Sequence, residues 1–312
     1  MKKTNKIVAI QGDPLKQMNR KTDTTLLLAL EAQKRNYQIF YYLAKNLKFS
    51  QNKIFAYGNY VNFYENKKDF YHIKNAKNLN LAKAKFVLMR QNPPFNLDYI
   101  TATYLLQKLP KTTKVFNDPL AVRNIPEKLS SIYFTNLMPP SLFTKDVNEV
   151  EKFKKKYKKI VIKPTHGYGG NNILFATNKT SRRKINKYLN KNKHVMAQKF
   201  LPQISKGDKR VFIINGKIKG AIRRVPRKNS ILSNLGQGGT ATKTVLNNKE
   251  IYVANKVASF LKKNNILFAG IDLVENYLIG DINVTSPTGL KNFKDLNGKD
   301  LSIEIWNYLE KS

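Results

Sequence analysis

Oxygen-bearing side chains near the end of the sequence are spaced so that they could hold a metal ion. Asp281 and Asn283 lie two residues apart in a strand-like segment, so their side chains share one face of that strand. Asp272 belongs to the preceding strand, and a hairpin turn with an even number of residues would place it on the same face. Such oxygens suit a hard cation such as Mg²⁺, completed by phosphate oxygens. Ordinary polar alternation on a solvent-facing strand would explain the same pattern.

Two further segments could contact a nucleotide. Lys163 ends an apolar strand and precedes the glycine-rich turn 164–170, whose backbone amides could close on a phosphate while the lysine supplies a point charge. The strand at 195–198 leaves through Pro202 and is followed by Asp208. Free backbone groups of this strand could form hydrogen bonds with the base of a nucleotide, and the aspartate could bind the ribose hydroxyls. Taken alone, each segment also fits a plain turn or a salt-bridged loop.

The sequence lacks the short motifs of several large enzyme classes. It has no Gly-x-Ser-x-Gly, no His-Glu-x-x-His, no Walker-type phosphate loop and no Gly-x-Gly-x-x-Gly after the first strand. Its three histidines are far apart in sequence, and it contains no cysteine. These absences argue against hydrolase and nicotinamide chemistry. They also exclude a disulfide scaffold, a thiolate zinc site and a cysteine nucleophile.

The elements that must position these residues alternate in the first part of the chain. Strands are expected at 6–11, 38–43, 86–90 and 114–116, with helices at 24–36 and 97–109. This alternation predicts an α/β unit with a mainly parallel sheet, which binds ligands beyond the carboxyl ends of its strands. The turns 12–14 and 90–95 are therefore candidate ligand loops.

The second part of the chain is predicted to be α+β, with strands in hairpins. The expected hairpin turns are Asn215-Gly216 and Glu275-Asn276. We expect one domain over 1–122, with the parallel sheet, and a second over 123–312. The predicted elements of the second domain are strands at 160–163, 195–198, 210–214, 217–224, 268–274 and 277–284 and a helix at 248–264.

The composition is strongly basic. The 312 residues include 57 Lys and Arg against 20 Asp and Glu, a formal net charge of +37. This excess has two explanations, a nucleic-acid or other anionic partner or compositional drift toward Lys, Asn and Ile. The scattering of these residues favours drift, since nucleic-acid binders concentrate charge on one patch. The densest run, 152–159, fits an exposed helix end. The short apolar stretch 7–10 is no signal peptide, so we expect a soluble, cytoplasmic protein.

In combination and order, these segments resemble the ATP-grasp ligases, and in particular the bacterial glutathione synthetase family. The resemblance runs from about residue 6 to about residue 290. Its most specific parts are Gly-Asp-Lys-Arg at 207–210 and Asn-Val-Thr-Ser-Pro at 283–287, and Lys128 in Pro-Glu-Lys-Leu also follows the family order. The resemblance implies a pre-ATP-grasp domain over 1–122 and an ATP-grasp domain over 123–312.

The resemblance also implies an activity. The family's ligase uses ATP to activate the cysteinyl carboxylate of γ-glutamylcysteine as an acyl phosphate, which the amine of glycine attacks, releasing ADP and phosphate. Mg²⁺ or Mn²⁺ would be the metal and a homotetramer the assembly, with no specific nucleic-acid or membrane partner. The implied roles are catalysis for Arg210 and Arg224; nucleotide binding for Lys128, Lys163, Gly167, Tyr168, Gly169, Gly170, Gln198, Lys199, Phe200, Leu201 and Asp208; peptide binding for Arg90 and Asn234; and metal binding for Asp272, Asp281 and Asn283.

Four positions depart from the family pattern. His166 and Asn92 stand where the family usually has an acid, and Asp281 stands where it has Glu. Leu232 replaces an arginine two residues before Asn234. Two alternatives therefore stay open beside the leading hypothesis. One is another ATP-grasp carboxylate–amine ligase with a different acceptor. The other keeps the scaffold without the ligase activity, as a basic nucleic-acid-binding protein or a nucleotide-binding regulator.

Overall fold

A six-stranded sheet forms the N-terminal part of the chain. The computed structural model describes residues 6–65, 67–227, 233, 235 and 238–311. The strand order is β4-β3-β2-β1-β5-β6, in which β2, β1, β5 and β6 run parallel and β3 and β4 are antiparallel additions. The strands are β1 (Ile7–Gly12), β2 (Gln38–Ser50), β3 (Lys53–Phe63), β4 (Tyr71–Asn80), β5 (Phe86–Met89) and β6 (Lys114–Phe116).

The parallel part of this sheet confirms the predicted α/β class. The predicted strands and both predicted helices are present, most of them within a few residues of their expected bounds. The strand expected at 38–43 continues to Ser50, and β3 and β4 were not predicted. The turn that joins β2 to β3 is Gln51-Asn52, with both φ angles positive, and it lacks the glycine that usually marks such hairpins. The helices of this part are α1 (Thr24–Lys34), α2 (Leu97–Gln107) and the short α3 (Pro119–Asn124).

A four-stranded antiparallel sheet follows, with the order β7-β10-β8-β9. Two helices pack on it around the buried residues Val150, Ile162 and Ile185. The basic run 152–159 does lie at a helix end that leads into a strand. Lys154 is an exception to its predicted exposure, because its Nζ is buried against Glu151 and the Thr180 carbonyl. The elements are β7 (Ser141–Thr144), α4 (Val147–Tyr157), β8 (Lys159–Pro164), β9 (Leu174–Thr177), α5 (Arg182–Asn192) and β10 (Val195–Lys199).

A five-stranded antiparallel sheet, ordered β13-β12-β11-β14-β15, completes the core. Both predicted hairpin turns are present, at 215–216 and 275–276, each with two residues of positive φ. The hairpin β14–β15 is irregular, because its pairing shifts between Ile271 and Leu273. The elements are β11 (Asp208–Ile214), β12 (Lys217–Val225), β13 (Thr240–Lys243), α6 (Asn248–Lys263), β14 (Phe268–Val274) and β15 (Tyr277–Asn283).

Two final helices, α7 (Leu290–Asn297) and α8 (Leu301–Lys311), were not predicted. Helix α8 returns to the N-terminal sheet and packs on α1. Its Trp306 is fully buried, donates from Nε1 to the Leu28 carbonyl at 2.9 Å and stacks on Tyr37. The predicted division at residues 122 and 123 stays a prediction, and α8 joins the two parts at the end of the chain. Among the described helices, none has the length and apolar content to cross a membrane.

Candidate active site

Two cross-strand ion pairs occupy the centre of the five-stranded sheet. On β11, Asp208 is paired in register with Arg224 of β12, and Arg210 with Asp272 of β14. Both pairs are bidentate, with N–O distances of 2.7 and 2.6 Å for the first and 2.5 and 2.9 Å for the second. Arg224 also lies 2.8 Å from Asp272 and so links them.

These four charges hold one another in place. Each of the four side chains is at most 5% exposed, and the two positive charges balance the two negative ones. Burial alone would lower the pKa of Arg224, but Asp208 and Asp272 outweigh it and raise that pKa. A buried arginine with two carboxylate partners is fixed in position and stays charged. The cluster therefore presents two preorganised guanidinium groups.

A second charged group forms where Lys128 and Lys163 approach Asp281. Lys128 Nζ lies 3.2 Å from Asp281 Oδ1, and Lys163 Nζ lies 3.8 Å from Oδ2. Lys163 also donates to the Ile279 carbonyl at 2.9 Å. Burial lowers the pKa of Lys163, whereas Glu127 and Asp281 outweigh burial and raise the pKa of Lys128.

Glu127 belongs to this group and was not predicted. Its Oε1 lies 3.3 Å from Lys128 Nζ, and its carbonyl accepts from the amide of Ile282 on β15. Burial raises the pKa of Glu127, while the two lysines lower that of Asp281. The acid directly before Lys128 was the only signal in the sequence. Ser233 was also missed. Its Oγ donates to Asp208 at 2.5 Å, and no local sequence pattern indicates this tertiary contact.

The glycine-rich turn lies against the lysines. Lys128 Nζ donates to the Gly167 carbonyl at 2.6 Å, so the turn is tied to the charged group. Gly169 and Gly170 have φ angles of 62° and 76°, a conformation that favours glycine. Residues with a side chain would adopt this turn conformation only with backbone strain.

The strand predicted to read a base is largely satisfied within its sheet. The amides of Lys199 and Phe200 donate to the carbonyls of Pro140 and Lys159. Gln198 is buried, donates to Ser141 Oγ and accepts from Lys163 Nζ at 3.5 Å. Gln198 thus helps to orient the Lys163 side chain.

All of these groups face one cleft. It encloses about 880 Å³ with the solvent at its mouth. Arg90 lies outside it, and Asn234, like Leu232, falls outside the described residues. The predicted residues that line the cleft are Lys128, Lys163, Gly167, Tyr168, Gly169, Gly170, Gln198, Lys199, Phe200, Leu201, Asp208, Arg210, Arg224, Asp272, Asp281 and Asn283.

Arg90 lines a second cavity beside the cleft. We call it the Arg90 cavity; Asp13, Asp23, Thr25 and Tyr41 also line it. The segment of the glycine turn that contains Tyr168 lines both cavities and separates them. The Arg90 cavity lies at the carboxyl ends of β1 and β5, where a parallel sheet binds ligands.

Two family models match the chain in succession. The model of the prokaryotic glutathione synthetase N-terminal domain matches residues 7–123, and that of the ATP-grasp domain of the same enzymes matches residues 127–298. This chain belongs to the prokaryotic glutathione synthetase family. Together the two matches cover both parts of the fold and the whole cleft.

Relatives in the family align over almost the full chain. The glutathione synthetase of Agrobacterium fabrum is 35% identical over 310 residues, which cover 98% of this chain and 97% of the relative. That of Rhodopseudomonas palustris is 36% identical over 307 residues, with 97% of each chain covered. The family resemblance inferred from the motifs is therefore confirmed.

Solved structures share the fold at low identity. The ATP-grasp ligase PsnB with a minimal precursor has a TM-score of 0.65 at 15% identity, covering 99% of each chain. The D-cycloserine synthetase DcsG has a TM-score of 0.64 at 12% identity, covering 98% of this chain and 99% of that one. These likenesses confirm the predicted fold class.

ATP-grasp ligases use ATP with Mg²⁺, and the cleft of this family member has donors that fit the ion. Asp281 and Asn283 supply oxygens from the same face of β15 into the cleft. Asn283 donates through Nδ2 to the Gly270 carbonyl, which orients its side chain and leaves Oδ1 as the oxygen donor. Asp272 faces the same cleft, but both of its oxygens already accept from arginines. The fit is therefore strongest for Asp281 and Asn283.

Proposed function

We propose that this chain joins γ-glutamylcysteine to glycine with the consumption of ATP, forming glutathione, ADP and phosphate. The observation that carries the proposal is the match to both glutathione synthetase domains over a cleft lined by the predicted charged residues. Transfer of the γ-phosphoryl group to the cysteinyl carboxylate gives an acyl phosphate. The glycine amine attacks that carbonyl, the C–N bond forms, and phosphate leaves.

We propose that Arg210 and Arg224 stabilise the negative charge that develops on the acyl phosphate and its tetrahedral successor. Their guanidinium groups are held by Asp208 and Asp272 before any substrate binds, so little reorganisation accompanies the reaction. The ribose role of Asp208 stays a prediction, because both of its oxygens accept from Arg224.

Lys128 and Lys163 would hold the phosphates of ATP. Their charges are balanced by Asp281, and Lys128 is also bound to the Gly167 carbonyl. Phosphate oxygens are stronger partners for an ammonium group than a carbonyl, so nucleotide binding would release the glycine turn to close over it. Asp281 and Asn283 would hold Mg²⁺, which when bound offsets part of the phosphate charge.

The test supplies the purified protein with ATP, Mg²⁺, γ-glutamylcysteine and glycine and measures both phosphate and glutathione. We expect both products in equal amounts, and neither when glycine is left out. Phosphate release only with a different amine would assign another acceptor. Failure of every amine tested to give a peptide product would contradict the ligase activity. Cytoplasmic location, tetrameric assembly and the lack of a nucleic-acid partner stay predictions.

A further inference from the structure

Asn117 joins the first part of the chain to the β14–β15 hairpin of the second part. It follows β6 directly and is 4% exposed. Its Nδ2 donates to the carbonyls of Phe268 at 2.7 Å and Val284 at 2.8 Å. Its Oδ1 accepts from the amides of Leu267 at 3.1 Å and Phe268 at 2.9 Å. A primary amide has two donor hydrogens and two acceptor lone pairs, so these hydrogen bonds use its full capacity.

These hydrogen bonds lie where the β14–β15 ladder ends. The pairing of the two strands ends at Gly270 and Asn283. Beyond this pair, Asn117 Nδ2 donates to one carbonyl on each side of the hairpin, so the side chain takes the place of a further backbone pair. An apolar side chain of similar size would leave these buried carbonyls unpaired, which is costly. Asn117 therefore fixes the separation of the two strands at this end.

This end of the hairpin contains the metal donor Asn283. Val284, whose carbonyl Asn117 holds, follows Asn283 directly and is fully buried. Asn283 is also held from within the hairpin, because its Nδ2 donates to the Gly270 carbonyl. The side-chain amide group of Asn283 and the next peptide group are thus both held in place. Together they fix the position of Asn283 Oδ1 in the cleft.

The segment 283–287 is anchored again a few residues later. Ser286 Oγ donates to the Arg90 carbonyl at 3.2 Å, and the Pro287 carbonyl accepts from the Arg90 guanidinium at 2.9 Å. Asn117 and Arg90 both belong to the first part of the chain. The first part therefore holds, at two points, the segment that begins with a metal donor of the second part.

We infer that Asn117 is a positioning residue for the binding of Mg²⁺ with nucleotide, and that it acts by holding the backbone next to Asn283. The inference rests on the part of the proposed function that places Mg²⁺ at Asp281 and Asn283. A partner that orients a metal ligand typically contributes a factor of about 10–100 in metal affinity. Lys128 and Lys163 are held by the Gly167 and Ile279 carbonyls, so nucleotide binding without metal should not depend on Asn117.

The test measures the affinity for ADP by calorimetry, once with Mg²⁺ and once with EDTA. We expect Mg²⁺ to tighten ADP binding to the unmodified protein. Asn117→Asp keeps the size of the side chain but loses both Nδ2 hydrogens, so it should reduce this tightening by about 10-fold. The affinity for ADP in EDTA should stay nearly unchanged. Asn117→Ser adds no buried charge and carries the same expectation if the aspartate variant does not fold.

A double-mutant cycle with Asn283 distinguishes positioning from a separate effect. Asn283→Ala should remove most of the tightening by Mg²⁺, because it removes the oxygen donor itself. Adding Asn117→Asp should then reduce the tightening no further, because its effect passes through Asn283. Losses that multiply in the double variant would overturn the inference, and so would full tightening in Asn117→Asp alone.

Trp306→Ala is the control for lost stability. Trp306 is fully buried on the N-terminal sheet and stacks on Tyr37, and its variant should keep the full tightening by Mg²⁺. An equal loss in this control would overturn the inference, because general destabilisation would then explain the effect. Equal affinity for ADP with Mg²⁺ and with EDTA in the unmodified protein would overturn the metal assignment and the inference with it. A lack of glutathione formation while Mg²⁺ still tightens ADP binding would overturn the ligase activity alone.

Discussion

Asp281 is the carboxylate that both cleft lysines share. Its two oxygens face Lys128 and Lys163, and the lysines hold its pKa well below the ordinary value although burial would raise it. The family resemblance implies Glu at this position, and its longer side chain would place a bound ion farther from β15. The shorter aspartate brings the lysines, the metal donors and the strand close together.

The first prediction concerns this residue. Asp281→Asn removes the charge that balances two buried lysines and one of the two best-placed metal donors, so kcat/KM for ATP should fall by about 10–100-fold. Asp281→Glu keeps the charge, and we expect it to stay within about 10-fold of the unmodified protein. Initial rates at varied ATP and Mg²⁺ measure both. Equal losses in the two variants would contradict the expectation that the charge of Asp281 decides ATP binding.

At the residue scale, the sequence predicts the functional polar side chains that lie within a recognisable motif. Arg210 and Asp208 lie in one motif, and Asp281 and Asn283 in another, so strand periodicity places each pair on one face of its strand. That both pairs line the same cleft depends on how the strands are arranged in the sheet. Glu127 has no such pattern. It joins the cleft through tertiary contacts to β15, which no local spacing records.

At the scale of elements, the β14–β15 hairpin is the part that shapes the cleft. Ile271 pairs with Ile282 and Leu273 with Leu278, so Asp272 faces the three residues 279–281. This bulge directs the Ile279 carbonyl to Lys163 and Asp281 to Lys128. The sequence predicts the hairpin and its two-residue turn, but a bulge depends on what packs beneath the strand. The sequence also missed β3 and β4, because the turn from β2 into β3 has no glycine to mark it.

The second prediction tests the bulge. Gly280 has a φ of 92°, and a Cβ there would lie 2.7 Å from Met196 Cε. Gly280→Ala should therefore destabilise the protein by about 1–3 kcal/mol and raise KM for ATP, because the neighbouring Asp281 moves. Denaturant unfolding and initial rates measure the two effects.

Gly298→Ala is the control for conformation alone. Gly298 ends α7 with a φ of 72°, and a Cβ there meets nothing within 4 Å. The Gly298→Ala variant should lose about 1 kcal/mol of unfolding free energy and keep the KM for ATP of the unmodified protein. A similar rise in KM in both variants would mean that general destabilisation, not the bulge, controls ATP binding.

At the scale of the whole molecule, the two parts of the chain meet at the Arg90 cavity beside the cleft and again at α8. The net charge of +37 would attract ATP and an acidic dipeptide over distances of about 10 Å, the Debye length at 0.1 M salt. Charged side chains on the cleft alone suffice for this. That compositional drift accounts for the remaining basic residues stays a prediction. The packing of helix α8 was not predicted, because its partner α1 is distant in sequence and no local pattern in 301–311 points to it.

The third prediction concerns this closure. Trp306→Ala removes a fully buried side chain that stacks on Tyr37, so it should cost about 3–5 kcal/mol of unfolding free energy. Ile303 lies on the same helix with 43% exposure, and Ile303→Ala should change stability by about 0.5 kcal/mol or less. Denaturant unfolding of both variants gives the comparison. Comparable losses would contradict docking through Trp306.

Because α8 packs on α1, α1 stays uncovered on the ribosome until α8 has been synthesised. The two helices are about 270 residues apart in the chain. At roughly 5–20 residues per second, α1 is exposed for about 14–54 s before its partner is made. During that time the apolar surface around Leu28 and Tyr37 lacks the helix that covers it in the folded chain, and such exposed surface favours aggregation. The yield of active protein should therefore fall when translation stalls late in the message, even though every catalytic residue has already been made.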